Sequence, residues 1–200
     1  MTAAPTIEAR REAEFKKYRK AYKNPQYHMG LPRQAAWVGW LYEQKSLYGY
    51  DSVLDVACGR GESLGIAAKL GFTTVHGMEV VPELCQHPLV GRIEGIHKLP
   101  AQDNSYDIVS CQDAFEHILE EDVVPGIREL CRVARHKVFT SVAWFDCQCG
   151  KSMDMELHIT RHELPWWMER FTEAVPDGAS IREVTWLQKY DQTAILEISL

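Results

Sequence analysis

One stretch carries most of the chemistry: Val53-Leu-Asp-Val-Ala-Cys-Gly-Arg-Gly-Glu-Ser-Leu64. A buried strand runs into Gly59-x-Gly61 and a helix follows at once. Glycines there remove Cβ atoms and let backbone approach a ligand. The helix start offers N–H groups and a positive dipole end to an anionic group. Asp55 precedes the glycines on the strand. A second acid, Glu79, ends the next β-rich run, 24 residues after Asp55. That is near the spacing of a carboxylate that binds ribose hydroxyls in a Rossmann-type site. A dinucleotide fingerprint would carry its third small residue at position 64, where Leu64 stands. A ligand with a ribose, an ammonium and a carboxylate, but no pyrophosphate, fits better.

Other groups of chemical interest lie downstream. Glu116-His117 follows a β-rich run. Cys147-Gln-Cys149 precedes His158-x-x-x-His162. Two Cys and two His suffice for a tetrahedral zinc site, although the histidines share a face only on a helix. The readings left open are zinc, an acceptor-side role for His158 or His162, and ordinary packing. No residue is assigned to a metal.

These groups need a scaffold. From residue 51, β-rich runs (53–56, 73–80, 106–111, 137–143) alternate with helical patterns (62–70, 122–134), which predicts βαβ units and a parallel sheet. Ile181–Gln188 and Thr193–Ser199 read as a terminal antiparallel pair, turned at Lys189 to Gln192. Thr160-x-x-Glu163 reads as a capping box before Trp166-Trp167-x-x-x-Phe171, an aromatic set at near-helical spacing that suits core. Upstream, Ile7–Lys23 reads as a helix with Phe15, Tyr18 and Tyr22 on one face, and a second helix spans about Pro32 to Lys45 with Ala36, Trp37, Trp40 and Leu41 on one side. The division is therefore 1–48, an N-terminal helical extension or lid, and 49–200, the α/β domain.

The 200 residues include 22 Lys+Arg and 28 Asp+Glu, a net charge of −6. That balance argues against a general nucleic-acid binder. Residues 8–23 hold seven basic and three acidic side chains, so a local basic face stands against an acidic remainder. The charged N-terminal stretch does not read as a signal peptide, and no apolar run approaches the ~18 residues that span a bilayer. Six Cys in this setting read as reduced thiols of a cytoplasmic protein.

Taken in order, Leu54-Asp-Val-Ala-Cys-Gly-Arg-Gly61, Glu79, Leu99-Pro-Ala-Gln-Asp-Asn-Ser-Tyr-Asp-Ile-Val109 with Gln112-Asp-Ala-Phe-Glu-His117, and Glu129-Leu-Cys-Arg-Val133 resemble the class I S-adenosylmethionine-dependent methyltransferases, most closely the small type-11-like branch. The likeness covers roughly Ser52 to Ala143. It implies a Rossmann-like, doubly wound, mostly parallel seven-stranded sheet with an antiparallel last strand. It implies S-adenosylmethionine as cofactor, Asp55 on the methionine ammonium directly or through water, and the Ala57, Cys58, Gly59 and Gly61 backbone around the methionine part. Glu79, with Val80 beside it, would take the ribose, Ile96 and His97 would flank the adenine, and Gln112 and Asp113 would face the sulfonium and acceptor.

Methyl transfer from a sulfonium is an in-line displacement, so the protein chiefly aligns the acceptor and excludes water. A hydroxyl or amine acceptor must also lose a proton. His117 and Glu116 are the first candidates to take it, with Asp113 nearby. Candidate acceptor contacts are Tyr22, Tyr27 and His28, in or beside the Met29-Gly30 loop, with His158, His162 and Trp166. The expected acceptor is a small molecule or glycan, methylated at oxygen or nitrogen. Two other readings remain: a donor-binding partner subunit without catalysis, and a nucleic-acid methyltransferase using the basic helix. The latter would lack the Asn/Asp-Pro-Pro-aromatic pattern and the Pro-Cys pair of base methylation.

Overall fold

The computed structural model describes residues 4–24, 27, 31–81, 83, 88–185 and 192–200, with the side chains of 31–36 left aside. His28, Met29 and Gly30, and the turn residues 189–191, lie outside the described residues.

Two helices come first, α1 (Ile7–Ala21) and α2 (Leu31–Tyr48). Then follow β1 (Ser52–Val56), α3 (Glu62–Lys69), β2 (Thr74–Glu79), β3 (Val90–Arg92), β4 (Tyr106–Gln112), a 3₁₀ turn (Phe115–His117), α4 (Glu120–Val133) and β5 (Ala134–Ala143). A short α5 (Gln148–Ser152), α6 (Leu164–Ala174), β6 (Ser180–Glu183) and β7 (Thr193–Ser199) complete the chain. The seven strands form one sheet in the order β3-β2-β1-β4-β5-β7-β6. β7 runs antiparallel to both β5 and β6, as the terminal pair in the sequence implies.

Strand periodicity explains why this sheet carries helices on both faces. Successive side chains point to opposite sides. Val53, Ile108 and Phe139 join Trp37, Trp40 and Leu41 of α2 and Leu64 of α3 in one core. Their neighbours Leu54, Val109 and Val138 join Ile127 and Leu130 of α4 and Trp167 and Phe171 of α6 in the other. A strand buried on both faces reads as a continuous apolar run, which is how β1 and β4 read.

The strand order reverses beside β1: the chain moves outward through β2 and β3, then returns to β1's other edge as β4. Such a switch point opens a crevice at the carboxyl ends of the strands. A third, smaller cluster closes over that end. Tyr18 and Ala21 of α1 pack there with Val81 after β2 and Leu157 after α5. Arg11 of α1 clamps Asp122 of α4 through two hydrogen bonds, and Arg10 pairs with Glu121.

Two local expectations are corrected. Thr160 does not cap α6: its hydroxyl donates to Ile118 O at 2.7 Å, and Glu163 is the N-cap, with Pro165 in the first turn. Residues 158–162 lie outside any helix, so His158 and His162 do not share a helix face.

Candidate active site

The turn after β1 is built by left-handed backbone. Ala57 (φ +57°), Gly59 (φ +57°) and Gly61 (φ +78°) alternate with two ordinary residues. A Cβ on Gly61 would sit 3.1 Å from Leu64 Cδ1 and 3.2 Å from Val90 Cγ2, and one on Gly59 would sit 3.3 Å from the Tyr22 hydroxyl. Leu64 occupies the position of a missing third glycine because space is provided elsewhere. Gly77 of β2 lies so close that a Cβ there would reach 2.9 Å from Leu64 and 2.6 Å from Cys58 Sγ. Gly61 caps α3, and no side chain caps it, which keeps the helix start in the character of an anion-binding end.

Glu79 sits at the tip of β2, 3% exposed. Its Oε2 accepts the Gly59 N–H at 2.9 Å, and Oε1 accepts the Val80 and Val81 N–H groups at 2.8 and 3.2 Å. Burial raises its pKa, against the lowering effect of those three donors. Asp55, the other acid of the pair, is 2% exposed. It is buried behind the turn, away from the cavity wall, where its oxygens accept the hydroxyls of Ser63 (α3) and Ser110 (β4). The β1–β4 register sets Asp55 opposite Ser110. Burial pushes this carboxyl up to about 6.

A cavity of about 630 Å³ opens at the strand ends. Of the residues singled out in the sequence, Ala57, Glu79, Val80, Ile96, His97, Gln112, Asp113, Glu116, His117, Tyr22, Tyr27 and His158 line it. Cys58, Gly59 and Gly61 shape the turn without forming its wall. His162 and Trp166 are not on the wall either: His162 Nε2 contacts Glu120, and its ring stacks on Trp166 at 4.0 Å. The proposed Cys147, Cys149, His158, His162 quartet therefore does not converge. Cys147 and Cys149 line the cavity, and Cys147 Sγ accepts the Gly150 N–H at the start of α5.

Sequence reasoning missed several wall residues. Phe15 and Tyr18 of α1 face the cavity beside Tyr22, so the aromatic stripe of that helix is pocket wall. Phe145, after β5, adds another ring. Asp122 of α4 also reaches the cavity, with an oxygen 3.9 Å from His97 Nδ1. Desolvation lowers the His97 pKa, opposed by Asp122.

The polar corner of the cavity is tightly organised. The N–H groups of Ile159 and Thr160 both donate to Glu116 O, at 2.9 and 3.1 Å. That holds the 157–160 segment against the 3₁₀ turn and brings the His117 and His158 rings edge to face at 4.7 Å. The Tyr18 hydroxyl contacts His117 Nδ1 and donates to Leu157 O at 3.1 Å. Next to it, Asp113 (φ +50°) ends β4; its Oδ1 accepts the Ser141 hydroxyl at 2.7 Å and its N–H donates back to the same oxygen at 3.0 Å.

Comparison with known proteins agrees with this architecture. Residues 54–140 match the type-11 family described as "Methyltransferase domain". No curated protein sequence matches. Among solved structures, the plantazolicin methyltransferase in complex with a triazolic desmethylPZN analog and SAH is similar at TM-score 0.69 and 12% identity, covering 96% of this chain and 95% of that one. Magnesium protoporphyrin IX methyltransferase from Synechocystis PCC 6803 with bound SAH gives 0.62 and 17%, covering 94% of each. The methyltransferase in complex with the Haloferax volcanii Trm112 activator gives 0.57 and 15%, covering 99% of each. The seven-stranded sheet with its glycine turn at the switch point is thus the fold of these methyltransferases, and residues 54–140 are the part that matches the methyltransferase-domain family.

Proposed function

We propose that this protein binds S-adenosylmethionine at the β1–β2 tips and methylates a small, largely apolar acceptor at a hydroxyl or amine. The observation that carries the reading is one shared cavity. Glu79 and Ala57 open onto it from the donor side, and Glu116, His117 and His158 open onto it from the other. The donor side fits the nucleoside: a buried carboxylate for the ribose hydroxyls, a left-handed turn whose glycines leave little room for a Cβ, and Ile96 and His97 as an adenine slot.

S-adenosylmethionine supplies a methyl group already activated on a sulfonium. The chain's own residues therefore bind, orient and exclude water. Glu79 takes the ribose. Asp55 acts one layer back, fixing the first turn of α3 and the β4 edge through Ser63 and Ser110. Gln112 and Asp113 border the passage between the two halves. His117, with Glu116 and His158, receives the acceptor's nucleophilic atom and its proton.

Phe15, Tyr18, Tyr22, Tyr27 and Phe145 make the acceptor wall aromatic, which favours an apolar small molecule over a glycan. The basic face of α1 gives little support to nucleic acid, because Arg10, Arg11, Lys17 and Arg19 each meet a carboxylate. Calorimetry with S-adenosylhomocysteine and a labelled-donor screen of small hydroxyl and amine acceptors test the reading. One-site binding and labelled product are expected. No heat with the nucleoside overturns donor binding, and labelling of RNA alone overturns the acceptor class.

A further inference from the structure

One ligand atom each from Glu116, His117 and His158 lies within 4.8 Å of the other two. Bonds of about 2.0–2.2 Å to a zinc-sized ion put ligands roughly 3.3 Å apart in a tetrahedral shell, so small rotamer changes bring all three onto one cation. Glu116 is fully buried and His158 nearly so, on a cavity that is otherwise mainly aromatic and aliphatic. Burying a carboxylate there favours a cation beside it.

The tautomers follow from the neighbours. His158 Nδ1 lies 2.8 Å from Phe145 O. A carbonyl only accepts, so Nδ1 carries the proton and the lone pair sits on Nε2. His117 Nδ1 lies 2.9 Å from Leu157 O, the carbonyl that also accepts from Tyr18. With the Tyr18 proton on that carbonyl, the hydroxyl oxygen and the carbonyl both face Nδ1 as acceptors, and a proton on Nδ1 serves them, leaving the lone pair on Nε2. Two imidazoles oriented by Nδ1–H bonds, each with its basic nitrogen on Nε2, form the outer shell that histidine ligands of metal sites commonly have. The main-chain bonds from Ile159 and Thr160 to Glu116 O fix the two segments in place without a cation.

We propose that Glu116, His117 and His158 bind one divalent transition ion, zinc or a neighbour in its row, with coordination open toward the cavity. Two nitrogens and one carboxylate suit zinc, iron or cobalt and do not suit magnesium or calcium, which take oxygen shells. The site deepens the methyl-transfer reading and rests on it for its role: with the ion bound, His117 is its ligand instead of the proton acceptor, and the cation lowers the proton affinity of an acceptor hydroxyl, whose proton passes to water. Binding of the ion itself does not depend on that role.

The test uses untagged full-length protein, stripped by dialysis against a chelator and titrated with Co²⁺, then Zn²⁺. One equivalent of Co²⁺ is expected to give visible d–d absorption that one equivalent of Zn²⁺ abolishes. Glu116→Gln and His158→Asn should each weaken Co²⁺ binding at least tenfold, while His162→Gln, off the cavity, leaves it unchanged. Near-ultraviolet circular dichroism checks that the variants fold. Absence of the band in folded wild type, or its full retention in both folded variants, overturns the site. Calorimetry with S-adenosylhomocysteine on the same stripped sample separates the two claims. Nucleoside binding without ion binding removes only the metal site. Ion binding without nucleoside binding removes only the methyl-transfer reading.

Discussion

Gly59 N–H donates to Glu79 Oε2 across 2.9 Å, so the turn after β1 and the tip of β2 are joined through the very carboxylate that would hold a ribose. Glu79→Ala removes that contact along with the partner of two further N–H groups. Donor and product affinity should fall at least tenfold, about 1.4 kcal/mol, with a lower melting temperature. Calorimetry checks it; unchanged affinity in a folded variant contradicts the assignment.

His117→Ala should separate chemistry from donor binding. Positioned proton transfer contributes roughly 10²–10⁴ in rate. Turnover should fall by that order while nucleoside affinity stays within about twofold. Single-turnover kinetics beside calorimetry measure both, and undiminished turnover returns His117 to a packing role.

Tyr18→Phe keeps the ring and deletes the hydroxyl that links His117 and Leu157 O. Losing a buried hydrogen-bonding group costs about 1–3 kcal/mol, visible in denaturant unfolding. The turnover number should drop about tenfold, a loss of roughly 1.4 kcal/mol in barrier lowering, with the donor KM unchanged. An equal change in the donor KM would argue for a general loosening instead.

Gly61→Ala places a Cβ in left-handed backbone against Leu64 and Val90. The conformation alone costs about 1–2 kcal/mol. Thermal unfolding should shift down and nucleoside affinity should weaken. Gly178→Ala, also at positive φ but with open space around it, serves as the comparison that isolates the steric part.

Two buried acids give opposite pH signatures. For Glu197, burial acts to raise the pKa, but Arg182, Trp40 and Lys137 hold it down to about 2. A depressed acid stabilises above its unfolded value near 4.5, and that stability is lost as pH falls toward about 2. Asp55 is raised from 3.8 to about 6, so the folded state binds its proton more readily. Stability from that group increases as pH falls through about 6 toward 3.8. Urea unfolding across this range should show Asp55→Asn losing the gain near pH 5, and Trp40→Phe weakening the acid-sensitive part.

The sequence made the scaffold legible wherever a pattern is long enough to repeat. β1, β4 and the helices that follow each of them carry runs or periods that only one element type satisfies. β3 escaped because three residues cannot display alternation. Glu79 was readable because its spacing from the glycines is local to one βαβ unit. Asp55's partners were not, since Ser110 lies 55 residues away and meets it only through strand register. His158 and His162 looked equivalent four residues apart. Non-helical backbone separates them, so one faces the cavity and the other meets Glu120. The stripe on α1 was visible as a face, but nothing in its period said that it would meet the strand ends rather than solvent.

Phe15 and Tyr18, with Tyr22 at the C-cap, belong to a helix that contributes no strand to the sheet and is tied to α4 through Arg11 and Asp122. Part of the cavity wall is thus carried by a stretch of chain outside the sheet. Substitutions along that one fifteen-residue helix can reshape a side of the pocket while the strands beneath keep their pairing.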